Sequence, residues 1–168
     1  MITMTELTIE PLKRGLQQMS GYLDHAQKHI IDYGIAPDSL LAARLAPGMM
    51  TFSAQVQRAS DNAKNGVARL TGTVAPVFPD TEADIEQLKT RLGNTAKHLE
   101  TLTGEDFAGA ERRLIQLRFL SINGDMTGFE YLTRFLLPNF YFHIATAHAI
   151  LRHQGVAIGK KEYLGPLH

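Results

Sequence analysis

The sequence predicts an all-α protein, a four-helix bundle with a short β-hairpin ahead of its last helix. Three observations carry that reading. Four long stretches repeat apolar residues at spacings of three and four, the signature of a helix with one buried face. Gly and Pro punctuate the chain between those stretches. The period changes only once, after Gly104, in a stretch that ends near the turn dipeptide Asn123-Gly124.

The first helix is expected from about Thr8 to Tyr33. Thr8 serves as its cap, and Pro11 sits in the first turn, where a missing N–H costs little. Leu12, Leu16, Met19, Leu23, Ala26 and Ile30 form its stripe, and Gly34 ends it. Asp38 then caps a short helix, Ser39 to Leu45, broken by Pro47-Gly48. The second long helix is expected from about Met49 to Leu70, on a stripe of Phe52, Val56, Ala59, Ala63, Val67 and Leu70. Gly72 and the extended segment Thr73 to Pro79 make a crossing connection. A third long helix opens near Asp80-Thr81 and runs to about Leu102, with Ile85, Leu88, Leu92, Thr95 and Leu99 inward. Acidic Asp80, Glu82, Asp84 and Glu86 suit the positive end of its dipole. The segment from Arg113 to Phe119, with its turn at Asn123-Gly124, reads as a hairpin. Thr127 and Glu130 match a capping box for the next helix. At Pro138 that helix either kinks or begins afresh. The last helix closes at His153 to Gly155, and Val156 to His168 reads as extended.

The 168 residues suit one domain over 1–168, and 44% hydrophobic residues are enough for a packed core. Seventeen basic residues balance seventeen acidic ones, which argues against a nucleic-acid face and against a polybasic membrane anchor. With no Cys, disulfides, thiolate metal sites and thiol catalysis are excluded. The start, MITMTELTIEPLKRGL, has no basic segment followed by an apolar run. No window approaches the roughly 18 consecutive apolar residues of a membrane helix. A cytoplasmic protein is the expectation.

The last helix carries the chemistry. His143, His148 and His153 lie five apart, and a five-residue step turns a side chain by roughly 140°. They are therefore no chelating ladder, which needs spacings of three or four. Asn139 and His143 are four apart and share a stripe with Phe135, Phe142, Thr146, Ala149 and Ile150 that is expected to face inward. Polar groups in a core need partners. The pair is either a hydrogen-bonded register device or part of a site. Gln57 and Asp61, also four apart, lie on one edge of the second long helix. If the two helices are neighbours, Gln57, Asp61, Asn139 and His143 converge on one pocket, with Asp61 orienting His143. Otherwise Asp61 is a solvated edge residue. His25 and His29 have the spacing of a metal pair but sit beside their stripe. In the triplet Phe140, Tyr141 and Phe142 at least one ring faces away from the core, toward a subunit interface or the hairpin. Walker, dinucleotide and nucleophile-elbow motifs are missing.

Two stretches, ARLAPGMMTFSAQVQRASDNAKNGVARLTG from Ala43 to Gly72 and FEYLTRFLLPNFYFHIATAHAILRHQGVAIGKKEYLG from Phe129 to Gly165, resemble a domain-of-unknown-function family grouped with the DinB-like (YfiT-like) metalloenzyme superfamily. The resemblance implies an up-down-down-up bundle, often a homodimer. It also implies a divalent metal held by three His, one from the second long helix and two from the last; some members are thiol-dependent transferases, isomerases or hydrolases. Laid on this chain, the last-helix pair falls on Asn139 and His143 and the other ligand near Gln57, so one position of three carries His. Any metal then rests on His143, Asp61 and Asn139, a weak and oxygen-rich set. The expectation is a degenerate pocket, small-molecule-binding or stress-related and without a catalytic metal, with His143 and Asp61 as its reactive groups and Gln57, Asn139 and Tyr141 as its walls. The alternatives are a metal-dependent hydrolase or transferase using His143, and a structural dimerisation module.

Overall fold

The computed structural model describes residues 2–119 and 122–166. The first helix, α1 (Met4–Tyr33), starts earlier than the sequence suggests. Thr3, not Thr8, caps it, in a capping box closed by Glu6. Thr8 is instead buried, and Pro11 lies in the helix interior. Gly34 ends α1 in the left-handed region, with φ 61°. The short α2 (Pro37–Leu41) takes Pro37 rather than Ser39 at its first turn. Thr51 caps α3 (Phe52–Thr71) and Gly72 closes it. Asp84 caps α4 (Ile85–Glu100) by accepting from the Gln87 N–H at 2.8 Å. The helix therefore opens four residues after Asp80-Thr81.

Strands β1 (Leu114–Phe119) and β2 (Ile122–Thr127) pair antiparallel, Leu114 opposite Thr127 and Phe119 opposite Ile122. Asn123-Gly124 is not the turn. These residues lie within β2, opposite Arg118 and Leu117, because the buried Ile115 and Leu117 fix the register. The connection at residues 120 and 121 lies outside the described residues.

The Thr127–Glu130 capping box opens α5 (Gly128–Tyr131). A π-helical stretch, Leu132–Leu136, leads without a break into α6 (Leu137–His153). This resolves the question at Pro138. The ring removes one donor, and the wider turn just before it re-pairs the backbone, with the Leu137 N–H reaching Leu132 O. The segment after α6 is not wholly extended, since it forms α7 (Lys160–Leu164); residues 167 and 168 of that expectation lie outside the described residues.

The long helices pack in a ring. Helix α3 lies against α4 and α6, and α1 lies against the same two. The core between them holds Leu12, Met19, Phe52, Val67, Leu88, Phe140 and Ile144, all essentially out of water. Of the aromatic triplet, Phe140 enters this core and Phe142 faces out, 57% exposed. Phe142 was expected on the inward stripe. That stripe is centred instead on Phe140, His143, Ile144, Ala147 and Leu151. Among the described residues no helix is long and apolar enough to cross a membrane.

Two glycines allow close approach. A Cβ on Gly15 would sit 2.3 Å from a ring carbon of buried Phe140, and one on Gly128 would sit 1.8 Å from the Ala110 carbonyl oxygen. The second obstacle is backbone, which cannot swing aside. Gly128→Ala is expected to lower stability by about 2 kcal/mol or more in urea denaturation, because α5 and the turn segment at Ala110 must separate.

Candidate functional site

Helix α6 does turn His143 and Asn139 toward α3, but each meets its own partner there. His143 is 7% exposed, and its Nδ1–H donates to Gln55 Oε1 at 2.7 Å. Gln55, itself buried, donates its amide to the Met50 carbonyl, which leaves its oxygen for the imidazole. Asn139 Nδ2 donates to Asn62 Oδ1 at 2.6 Å, and Asn62 Nδ2 donates to the Arg58 carbonyl at 2.8 Å. Burial first, and then the positive charge of Arg58, push the His143 pKa down to about 4. The ring is therefore neutral at pH 7, with Nδ1 protonated and Nε2 carrying a lone pair. Phe142 meets it edge to face, centroids 5.4 Å apart.

Gln57 and Asp61 belong to a different constellation. Gln57 Nε2 donates to Glu82 Oε2 at 2.8 Å. Asp61 is held by three cations, Arg91 at 2.8 Å and Arg58 and Lys64 each at 3.2 Å. Arg91 is the hub. It also reaches Glu82 at 2.8 Å, Asp80 at 3.0 Å, the Pro79 carbonyl at 3.1 Å and Ser60 Oγ at 3.2 Å. Arg58 closes the network onto Asp80. The Phe78 ring lies near both Lys64 and Arg91. Burial opposes ionisation of Glu82, but hydrogen bonds from Arg91 and Gln57 outweigh it and hold the carboxyl below its usual range.

The expected convergence of Gln57, Asp61, Asn139 and His143 is thus not formed. The right helices are neighbours, but the residue facing His143 is Gln55, two positions before Gln57. Two helical positions differ by about 200° in direction. Gln55 and Asn62, seven apart, look toward α6, whereas Gln57, Asp61 and Lys64 look toward α4 and the connection at Phe78–Glu82. Asp61 does not orient His143.

The same geometry tests the implied metal. Its donor set would be one imidazole, an amide oxygen already bonded to that imidazole, and Asn139 bonded elsewhere, with a guanidinium nearby. Asp61 is committed to its cations. Among the described residues no three His, Asp or Glu side chains gather as a metal group. These residues do not fit a divalent cation.

Tyr141 also leaves the expected pocket. Its hydroxyl donates to the Pro11 carbonyl at 3.0 Å, and its ring lines a groove beside α1. Tyr141→Phe removes this second bond from a carbonyl that keeps its helical partner, and is expected to cost about 1 kcal/mol or less in thermal denaturation, with no change at His143. His148 is structural, donating Nε2–H to the Gly159 carbonyl at 2.9 Å between the rings of Tyr22 and Tyr163. The His29 ring lies tilted against Tyr33, centroids 4.7 Å apart. Sequence reasoning missed Gln55, Asn62, Arg58 and Arg91. The available signals were the heptad spacing of Gln55 and Asn62, and an Arg inside the stripe of Leu88, Leu92 and Thr95.

A crystal structure of a DinB family member protein from Shewanella denitrificans is similar to this chain at 37% identity and a TM-score of 0.91, covering 97% of this chain and 92% of that one. The chain belongs to the family described as Domain of unknown function (DUF1993), whose model matches residues 4–164, a family within the DinB-like superfamily. No curated protein matches it.

Proposed function

We propose that this chain is a DinB-like bundle whose ancestral metal position has become a neutral hydrogen-bonding site for a small molecule, without a resident metal. The observation that carries this reading is the pairing of His143 with Gln55 beside Arg58. A buried neutral imidazole whose Nδ1–H is spoken for offers Nε2 as an acceptor to an O–H or N–H donor. The neighbouring guanidinium repels a metal cation as it repels a proton. An imidazole with a pKa of about 4 is also a feeble general base at neutral pH, which weighs against the hydrolase or transferase alternative. The up-down-down-up helix order, a cytoplasmic location and a homodimer form part of the same proposal. Exposed Phe142, Phe129 and Met50 provide apolar surface for a second copy.

Elemental analysis of protein purified without a His tag, followed by dialysis against Zn²⁺ or Ni²⁺, tests the proposal. The expected result is far less than one metal per chain, unchanged in His143→Ala. One metal per chain that vanishes in His143→Ala contradicts it. A screen of small O–H and N–H donors, read at the His143 ring nitrogens by NMR, is expected to shift Nε2. Hits that bypass His143 place the ligand elsewhere and overturn this site. Light scattering at micromolar concentration reads the dimer directly.

A further inference from the structure

A second place in the molecule has the makings of a binding site. An open groove of about 1310 Å³ runs along α1, with α4 on one side, Tyr141 within it, and α7 with Gly165 and Pro166 at one end. It is not lined by His143. Gln18 and Tyr22, four apart on α1, both line the groove, and both are more than nine-tenths buried. Tyr22 Oη and Gln18 Oε1 are shielded from solvent and have no hydrogen-bond partner among the described residues. Each such orphan costs about 1–3 kcal/mol, and a ligand that pairs both atoms recovers that cost on binding.

The segment after α6 lies directly over them. The Leu164 carbonyl accepts from Gln18 Nε2 at 2.9 Å and from Arg14 Nη2 at 2.5 Å, and the Pro166 carbonyl accepts from Arg14 at 3.0 Å. The segment thus supplies a carbonyl to the Gln18 amide but no N–H for Gln18 Oε1 and no acceptor for the Tyr22 hydroxyl. Burial raises the Tyr22 pKa, so the hydroxyl keeps its proton and its O–H calls for an acceptor.

We propose that this groove binds a neutral amphiphile with a carboxamide head, and that residues 160–166 are a displaceable strap occupying the head-group end. A carboxamide carries what the strap lacks. Its C=O takes over the bond from Gln18 Nε2 and accepts from Tyr22, and its N–H donates to Gln18 Oε1. The lining charges balance, with Glu6, Glu10, Asp24 and Glu162 set against Lys13, Arg14, Lys89 and Lys161. An uncharged head therefore fits better than an anion or a cation, and the groove has room for an apolar tail.

The test uses the full chain and two matched probes, octanamide and octanoate, read by NMR at the Gln18 side-chain amide and the Tyr22 ring. Octanamide is expected to shift both signals saturably and to bind about tenfold more tightly than octanoate, the equivalent of one well-made hydrogen bond. Arg14→Met, which removes two tethers of the strap, is expected to tighten octanamide binding by about fivefold as the open state becomes better populated. Gln18→Met and Tyr22→Phe, each checked for folding by circular dichroism, are each expected to weaken it by about fivefold. The proposal is overturned if octanamide leaves the Gln18 amide unmoved, if amide and acid bind alike, or if Arg14→Met fails to tighten binding.

Discussion

Replacing Arg91 by Met is expected to destabilise the protein by about 3 kcal/mol, the low end of the cost of stripping one partner from a buried ion network. The side chain is 2% exposed and serves Asp61, Glu82, Asp80, Ser60 and the Pro79 carbonyl at once. Its loss leaves Glu82 with only Gln57 as a side-chain donor, in a place where burial already opposes ionisation. The cost stays at the low end because Asp61 retains Arg58 and Lys64. Arg91→Lys keeps the charge but cannot reproduce a planar fork, and is expected to recover less than half of the loss. Urea denaturation at pH 7 measures both variants. A loss below about 1 kcal/mol for Arg91→Met would mean that the hub is a surface network of the ordinary weak kind.

The second large effect is acid sensitivity at His143. In the folded chain its pKa lies near 4, below the ordinary histidine value of 6.5. Folding therefore favours the neutral ring. That contribution is fully present above pH 6.5 and is lost as pH falls through the range from 6.5 to 4, where the unfolded chain binds a proton and the folded one resists it. Each pH unit between the two values is worth about 1.4 kcal/mol, so about 3 kcal/mol of stability disappears between pH 7.5 and pH 4. His143→Gln cannot titrate and is expected to lose correspondingly less over the same interval. Any contribution from the carboxylates is common to both proteins and cancels when wild type is compared with His143→Gln. Parallel slopes for the two proteins would place the His143 ring in water.

Much of the fold was legible because local chemistry announces itself. The Thr127–Glu130 capping box and the Gly34 and Gly72 stops act through their immediate neighbours, and they stand where the residues suggested. Misplaced boundaries arose where two local signals competed. Thr3 with Glu6 makes a full capping box, which outweighs the lone Thr8, and the helix then absorbs Pro11 in its interior. Asn123-Gly124 is a strong turn pair by itself, yet burial of Ile115 and Leu117 sets the strand register and draws it into β2. The π-turn before Pro138 depends on how the chain repairs a missing donor, which no periodicity records.

The site was less legible for a geometric reason. Sequence places His143 and Asn139 on one stripe, and it brings them to Gln57 only on the condition that the two helices are neighbours, which they are. It does not give the rotation of that helix. A two-residue offset, from Gln57 to Gln55, reverses the direction of the side chain and separates one imagined pocket into an imidazole–amide pair and a salt-bridge network. Arg91 was hidden because its value lies in partners from α3 and from the connection before α4, none of them adjacent in sequence.

The account depends most on the state of one imidazole. Nitrogen-15 NMR of the histidine rings at pH 7, before and after one equivalent of Zn²⁺, addresses it directly. The account predicts that His143 shows a protonated Nδ1 and an unprotonated Nε2, that neither responds to the metal, and that the ring protonates only near pH 4. A ring that titrates near 6.5, or an Nε2 signal that moves stoichiometrically with zinc, would contradict it and restore the metal site.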